Sequence, residues 1–88
     1  MPKTMNLEEL FEQCASFDGF DDCIIGKIEI SGQQTRIVYD EEKVIESIIQ
    51  QSGMNYEEAV EYFYYNIAHC YIGESTPAFF QPIRGGIL

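Results

Sequence analysis

The chain has no tryptophan, one histidine (His69), three prolines and only 5 basic residues among 88. Each shortage removes a class of function. Five bases against 15 acids give a net charge of −10. That leaves no basic patch to neutralise a phosphate backbone, so direct binding of nucleic acid is not expected, nor attraction to an anionic membrane. No apolar run approaches the roughly 20 residues of a membrane span. The three cysteines, Cys14, Cys23 and Cys70, form no CxxC pair, and with one histidine they offer no zinc-ligand spacing. No metal or other cofactor is expected. An odd cysteine count without a signal peptide points to a reduced compartment, the cytoplasm. There is no P-loop, no GxSxG and no GxGxxG ahead of a helix. No internal repeat or low-complexity tract is present.

What remains is 45% hydrophobic and 14% aromatic, a globular composition. The length predicts one domain over residues 1–83, with 84–88 ("RGGIL") as a flexible tail. A chain this short buries only roughly 60–65% of its unfolded surface, so a partner or a second copy would help it.

The elements can be read from periodicity and caps. In "NLEELFEQC", Asn6 is an N-cap with Glu9 at the capping-box position. Leu7, Leu10, Phe11 and Cys14 make one helical stripe. "SFDGFDD" breaks that helix. "CIIGKIEI" alternates, with Ile24, Ile28 and Ile30 on one face and Ile25, Lys27 and Glu29 on the other. With "SGQQ" as the turn and "TRIVY" as the return, this predicts an antiparallel hairpin with strands over 24–30 and 35–39. Asp40 then caps a helix whose buried stripe is Val44, Ile45, Ile48 and Ile49, and Gly53 ends it. Asn55 and Glu58 cap a further helix expected to reach Ile72, closed by Gly73. "TPAFFQPI" is extended, with Pro77 and Pro82 restricting it to an edge strand or a docked tail. The fold class is α+β: a short N-terminal helix, an antiparallel β-hairpin, two consecutive helices and an extended C-terminal tail. A hairpin alone is marginal, so it must pack on the helices, take the tail as a third strand or pair with another copy.

The third helix carries the densest aromatic run, "EYFYYNIAHCY". Val60, Phe63, Tyr64, Ile67 and Tyr71 form its core stripe, flanked by Ala59 and Ala68. Tyr62, Tyr65, Asn66 and His69 form a second stripe with polar tips, suited to an interface. A helix sandwiched within one chain would account for the same residues. The acids most able to meet a basic partner are Glu41, Glu42 and Glu46 on one helix and Glu57, Glu58 and Glu61 on the next. Solubility and the helix dipole account for acids in those positions equally well. Asp18, Asp21 and Asp22 with Glu74 could hold a hard cation, but the spacing is not that of an EF-hand loop, and turn chemistry explains the acidic loop. His69 and Cys70 are neighbours and diverge on a helix, so they form no nucleophile–base pair.

Taken together, "DGFDDCIIG" (18–26), "VYD" (38–40), "GMNYEEAVEYFYYNI" (53–67) and "CYIGESTPAF" (70–79) resemble a family of small, mostly uncharacterised proteins of tailed bacteriophages and prophages. The family pattern is an Asp-Gly-x-Asp-Asp turn, a hairpin, Gly-Met-x-x-Glu-Glu-Ala-x-Glu-Tyr-Phe, then Tyr-Val/Ile-Gly-x-x-Thr-Pro. The likeness spans about residues 17–80. His69 and Cys70 stand where that pattern has small residues. The resemblance implies a phage or prophage origin and the cytoplasm of an infected bacterium; it brings no activity with it.

The first functional expectation is a non-enzymatic protein-interaction module, a homodimer or higher homo-oligomer. It would act on a basic host protein as an acidic inhibitor or nucleic-acid mimic. The alternatives are a small hydrolase or metal-dependent enzyme built on the DGFDD and YIGE segments (Asp18, Asp21, Asp22, His69, Glu74), and a phage structural or assembly factor.

Overall fold

The computed structural model describes residues 6–32, 34–70 and 72–83. The tail 84–88 and Tyr71 of the expected core stripe lie outside the described residues. Helix α1 spans Leu7–Gln13, strand β1 Ile24–Ile28, strand β2 Arg36–Asp40, helix α2 Glu41–Ser52, helix α3 Tyr56–Phe63 and strand β3 Ala78–Phe80. A single 3-10 turn, Asp21–Cys23, precedes β1, and a π-helical turn, Tyr64–Ala68, continues α3. The class is α+β.

The caps form as the sequence predicts. The Asn6 side chain accepts from the Glu9 N–H at 2.9 Å, and Glu9 accepts from the Asn6 N–H at 3.2 Å. Asn55 and Glu58 repeat the reciprocal pair at 2.9 and 3.0 Å. Each box satisfies two backbone donors that a helix start leaves unpaired. Asp40 caps α2 by accepting from the N–H groups of Glu42 and Lys43. Gly53 closes α2 at φ 78°, the left-handed conformation in which a side chain is strained.

The sheet order is β1-β2-β3. The hairpin is antiparallel, and β3 adds to the other edge of β2 in parallel. The tail therefore supplies the third strand that a marginal hairpin needs. Ile37 and Tyr39 point to the core, and neither is exposed at all. Val44, Ile45 and Ile48 of α2, Ala59 and Phe63 of α3, Ile67 of the π turn, and Leu10, Cys14 and Cys23 complete that core. Phe79 of β3 gathers its aromatic part, with ring centroids 6.0 Å from Phe17, 5.8 Å from Tyr39 and 5.0 Å from Phe63. Buried rings in edge-to-face and offset contact are the largest apolar contributors a small domain has.

Five expectations are corrected. The register shifts between Ile24 and Gly26, a β-bulge that makes Ile25 the extra residue. A bulge resets the alternation. Ile24 therefore pairs with Tyr39 on the core side, while Ile28 pairs with Arg36 on the opposite side. Ile24 and Ile28 do not share a face, and β1 ends at Ile28 rather than Ile30. Leu7 is exposed rather than part of the α1 stripe, because that helix starts at it. The third helix stops short of Ile72: α geometry ends at Phe63, the π turn ends at Ala68, and Gly73 sits in the turn beyond. Tyr64 leaves the core stripe and stands at the rim, because the wider π turn alters the helical phase beyond Phe63.

Candidate functional site

Helices α2 and α3 form an antiparallel hairpin across the short link 53–55. The Tyr64 hydroxyl donates to the Glu41 carboxylate at 3.1 Å, so the end of α3 meets the start of α2. The Gln81 side-chain amide donates to the same Glu41 oxygen at 2.5 Å and to the Tyr64 hydroxyl at 2.9 Å. This three-residue clamp ties both helices to the segment after β3. The hydroxyl pKa of Tyr64 is raised, first by desolvation and then by its bond to Glu41.

The expected interface stripe splits at the π turn. In an α-helix the Tyr62 carbonyl accepts from the N–H of residue 66. Here the Asn66 side-chain amide donates to it at 3.1 Å. A side-chain amide that bonds a local carbonyl competes with the helical ladder, and Asn66 is thereby occupied within its own helix. His69 caps the turn, and its ring lies 6.1 Å from that of Tyr64. Tyr62 and Tyr65 remain as the outward aromatics, 42% and 83% exposed. All four residues of the stripe are exposed, but they do not act as one row.

The acids divide in the same way. Glu41 is held in the clamp and Glu58 in the capping box. Glu42 is half-buried and Glu46 exposed on α2. Glu57 and Glu61 are exposed and border a depression of about 400 Å³ lined by Asn55, Tyr56, Glu57, Glu58, Val60 and Glu61. No basic residue lines it. Because the end of α3 meets the start of α2, Glu41 and Glu57 stand at opposite ends of the helical hairpin.

Tyr56 is half exposed, at 53%, and sits at the first position of α3. Periodicity could not single it out as a surface residue, because it lies four residues before Val60 and seven before Phe63, in phase with the core stripe; its place directly after the capping Asn55 was the available signal. A second depression, of about 370 Å³, is lined by Phe20, Ile48, Gln51, Ser52, Met54 and Tyr62. Neither depression joins Asp18, Asp21 or Asp22 to Glu74. Among the described residues no three histidine, cysteine, aspartate or glutamate side chains converge on a point that could hold a metal ion.

The cysteines are separate. Cys14 and Cys23 are buried and Cys70 is exposed. The Cys14 thiol donates to the Thr35 carbonyl at 3.3 Å. Burial raises the thiol pKa of Cys14, and raises that of Cys23 with help from Asp22. Such thiols are poor nucleophiles at neutral pH. Among the described residues no helix is long and apolar enough to cross a membrane. Compared with profiles of protein families, with curated proteins and with solved structures, the chain matches none.

Proposed function

We propose that this chain is a non-enzymatic protein-interaction module that holds a basic partner on the outer face of α3. The observation that carries the reading is the pairing of Glu57 with Glu61. Both are exposed and one turn apart, and they line one depression together with Tyr56 and Val60. Like charges at that spacing destabilise an isolated helix by about 0.2–0.5 kcal/mol. The helix dipole compensates Glu57 in the first turn, but its effect fades before Glu61. Tyr65, 83% exposed and one turn beyond Glu61, adds a ring with an apolar body and a polar tip, whereas Tyr62 borders the second depression. A cationic side chain from a partner would relieve the carboxylates and lie against the rings.

The use of Glu41 and Glu58 in bonds within the chain supports a short acidic and aromatic contact rather than a long imitation of a phosphate track. The resemblance to phage and prophage proteins supports a host protein as the partner and the bacterial cytoplasm as the setting. Inhibition of that partner belongs to the same proposal.

The test uses lysine- and arginine-rich helical peptides as probes, titrated against the intact chain at low and high salt. Binding that falls steeply with salt, and that is lost in the Glu57→Lys/Glu61→Lys variant, supports the reading, since exposed opposite charges are screened over a Debye length of about 8 Å at physiological ionic strength. Glu58 is left in place because it caps the helix. Binding of equal strength by that folded variant would sink the proposal.

A further inference from the structure

The geometry points to a second copy of this chain as the occupant of the sheet's outer face, packed face to face across a two-fold axis at Val38. Ile37 and Tyr39 of the central strand face the core, so Arg36, Val38 and Asp40 face the other way. Their cross-strand partners on that side are Ile28 and Gly26 of β1 and Ala78 and Phe80 of β3. Ile28 is 39% and Phe80 47% exposed. None of Ile28, Val38, Ala78 or Phe80 belongs to the core or packs against it. The described residues thus leave one face of a three-stranded sheet uncovered and largely apolar, although a sheet with an apolar second face is normally buried on both sides.

Charge selects the occupant. In a chain of net charge −10 this face carries one base and one acid, Arg36 and Asp40. They lie on the same strand, two residues to either side of Val38. Arg36 is poorly satisfied where it is. One terminal nitrogen donates to the Thr76 carbonyl at 3.5 Å, and its buried Nε has no hydrogen-bond partner. No carboxylate of the described residues pairs with it. Asp40 uses Oδ1 to cap α2, which leaves Oδ2 for another donor.

A two-fold axis in the plane between two such faces, perpendicular to β2 at Val38, sets each Arg36 opposite Asp40 of the other copy. It sets Val38 on Val38. Face-to-face sheets stack about 10 Å apart, a gap that an arginine and an aspartate side chain together can span. The pattern of plus, apolar, minus along β2 is self-complementary in this antiparallel arrangement alone, as an isologous interface requires. Edge-to-edge pairing through β1 is disfavoured, because the bulge at Ile25 and the lysine at position 27 blunt that edge. The α3 face suits a second copy poorly, since Glu57 and Glu61 would meet their own kind. The dimer does not depend on the proposed function, and it leaves the α3 face free for a partner.

Sedimentation equilibrium of the intact chain, from low to high micromolar concentration, tests this. The wild type is expected to pass from monomer to dimer. Arg36→Glu alone and Asp40→Lys alone should each weaken dimerisation by at least about tenfold, the effect of like charges brought opposite one another. An equimolar mixture of the two variants should dimerise again, because the carboxylate introduced at position 36 then meets the ammonium introduced at position 40. Val38→Glu, which leaves the α2 cap alone, should also give monomers, and it decides the matter if circular dichroism shows Asp40→Lys unfolded. A wild type that stays monomeric throughout overturns the inference. So does a dimer that survives Arg36→Glu and Val38→Glu, or a mixture of two folded variants that fails to associate.

Discussion

Removing one oxygen from Tyr39 should cost this protein a measurable part of its stability. Tyr39 is fully buried in the central strand. Its hydroxyl accepts from the Phe17 N–H at 2.9 Å, the bond that fixes the loop after α1 against the sheet. Tyr39→Phe keeps the ring and its contacts with Phe17 and Phe79. It leaves the Phe17 N–H without an acceptor. A lost hydrogen bond of this kind is worth about 0.5–1.5 kcal/mol net, and a stranded, partly buried donor up to about 3. Relief from keeping the hydroxyl dry offsets part of this, so we expect a loss of about 1–2 kcal/mol. At about 4–8 °C per kcal/mol for a domain of this size, the melting temperature should fall by roughly 5–15 °C. Tyr62→Phe, exposed, should stay within about 0.5 kcal/mol of the wild type. The effect should depend on pH. Burial raises the hydroxyl pKa of Tyr39 above its ordinary value of 10.0, while the bond from Phe17 pulls it down. The folded state therefore holds that proton more tightly than the unfolded chain. The resulting stability is fully present below pH 10 and is lost as the pH climbs through the raised folded value. The phenylalanine variant has no such loss, so its deficit against the wild type should narrow above pH 10. Urea melts at pH 7 and at pH 10.5 read both effects. A variant as stable as the wild type at pH 7, or a gap that widens at high pH, would refute the reasoning.

Phe63→Ala removes a wholly buried ring from contact with Phe79 and Tyr64; it should cost about 3–5 kcal/mol and leave little cooperative thermal transition. Gly53→Ala should cost about 1 kcal/mol in urea denaturation, because φ is 78° while nothing lies near enough for an added methyl group to clash with. The wild type should lose stability progressively from about pH 9 upward, since Cys14, Cys23, Tyr39 and Tyr64 all have raised pKa values in the fold. A urea midpoint that is flat from pH 8 to 11 would contradict that account.

The helix ends and the α2 core stripe were legible because local chemistry decides them. Asn6, Asp40, Gly53 and Asn55 each act within a few residues of themselves. The α2 stripe of Val44, Ile45 and Ile48 follows from period 3.6 alone. The features that the sequence concealed depend on contacts across the chain or on a change of period. One extra residue at Ile25 reverses the alternation in β1, and no pattern of apolar residues announces it. The π turn after Phe63 has the same effect in the helix, where it moves Tyr64 from the expected core to a clamp with Glu41 and Gln81. Gln81 lies 40 residues from Glu41, a distance over which spacing carries no information. Of the candidate site residues, Tyr62 and Tyr65 stand outward as expected and Glu57 and Glu61 line a shared depression. Asn66, Glu41 and Glu58 prove to be held by bonds within the chain. Tyr56 is in phase with the core stripe, yet it stands exposed at the first position of α3 and joins the site through the shape of the surface.

The two unpartnered surfaces differ in chemistry, and that difference assigns them different occupants. The outer face of α3 is acidic with exposed tyrosines, so a second copy placed there would bring identical carboxylates together. The outer face of the sheet carries balanced charge and exposed Ile28 and Phe80, so a basic partner would gain nothing there from the chain's overall −10. A small domain that buries only roughly 60–65% of its unfolded surface gains most from covering the apolar face. The acidic face is already compatible with water and has no such need. Self-association should therefore withstand salt and respond to Val38. Binding of a basic partner should yield to salt and respond to Glu57 and Glu61. Measuring both in one salt titration separates the two surfaces without knowing the partner. If dimerisation proved the more salt-sensitive of the two, the division of the molecule into an apolar self-contact and an acidic recognition face would be the wrong way round.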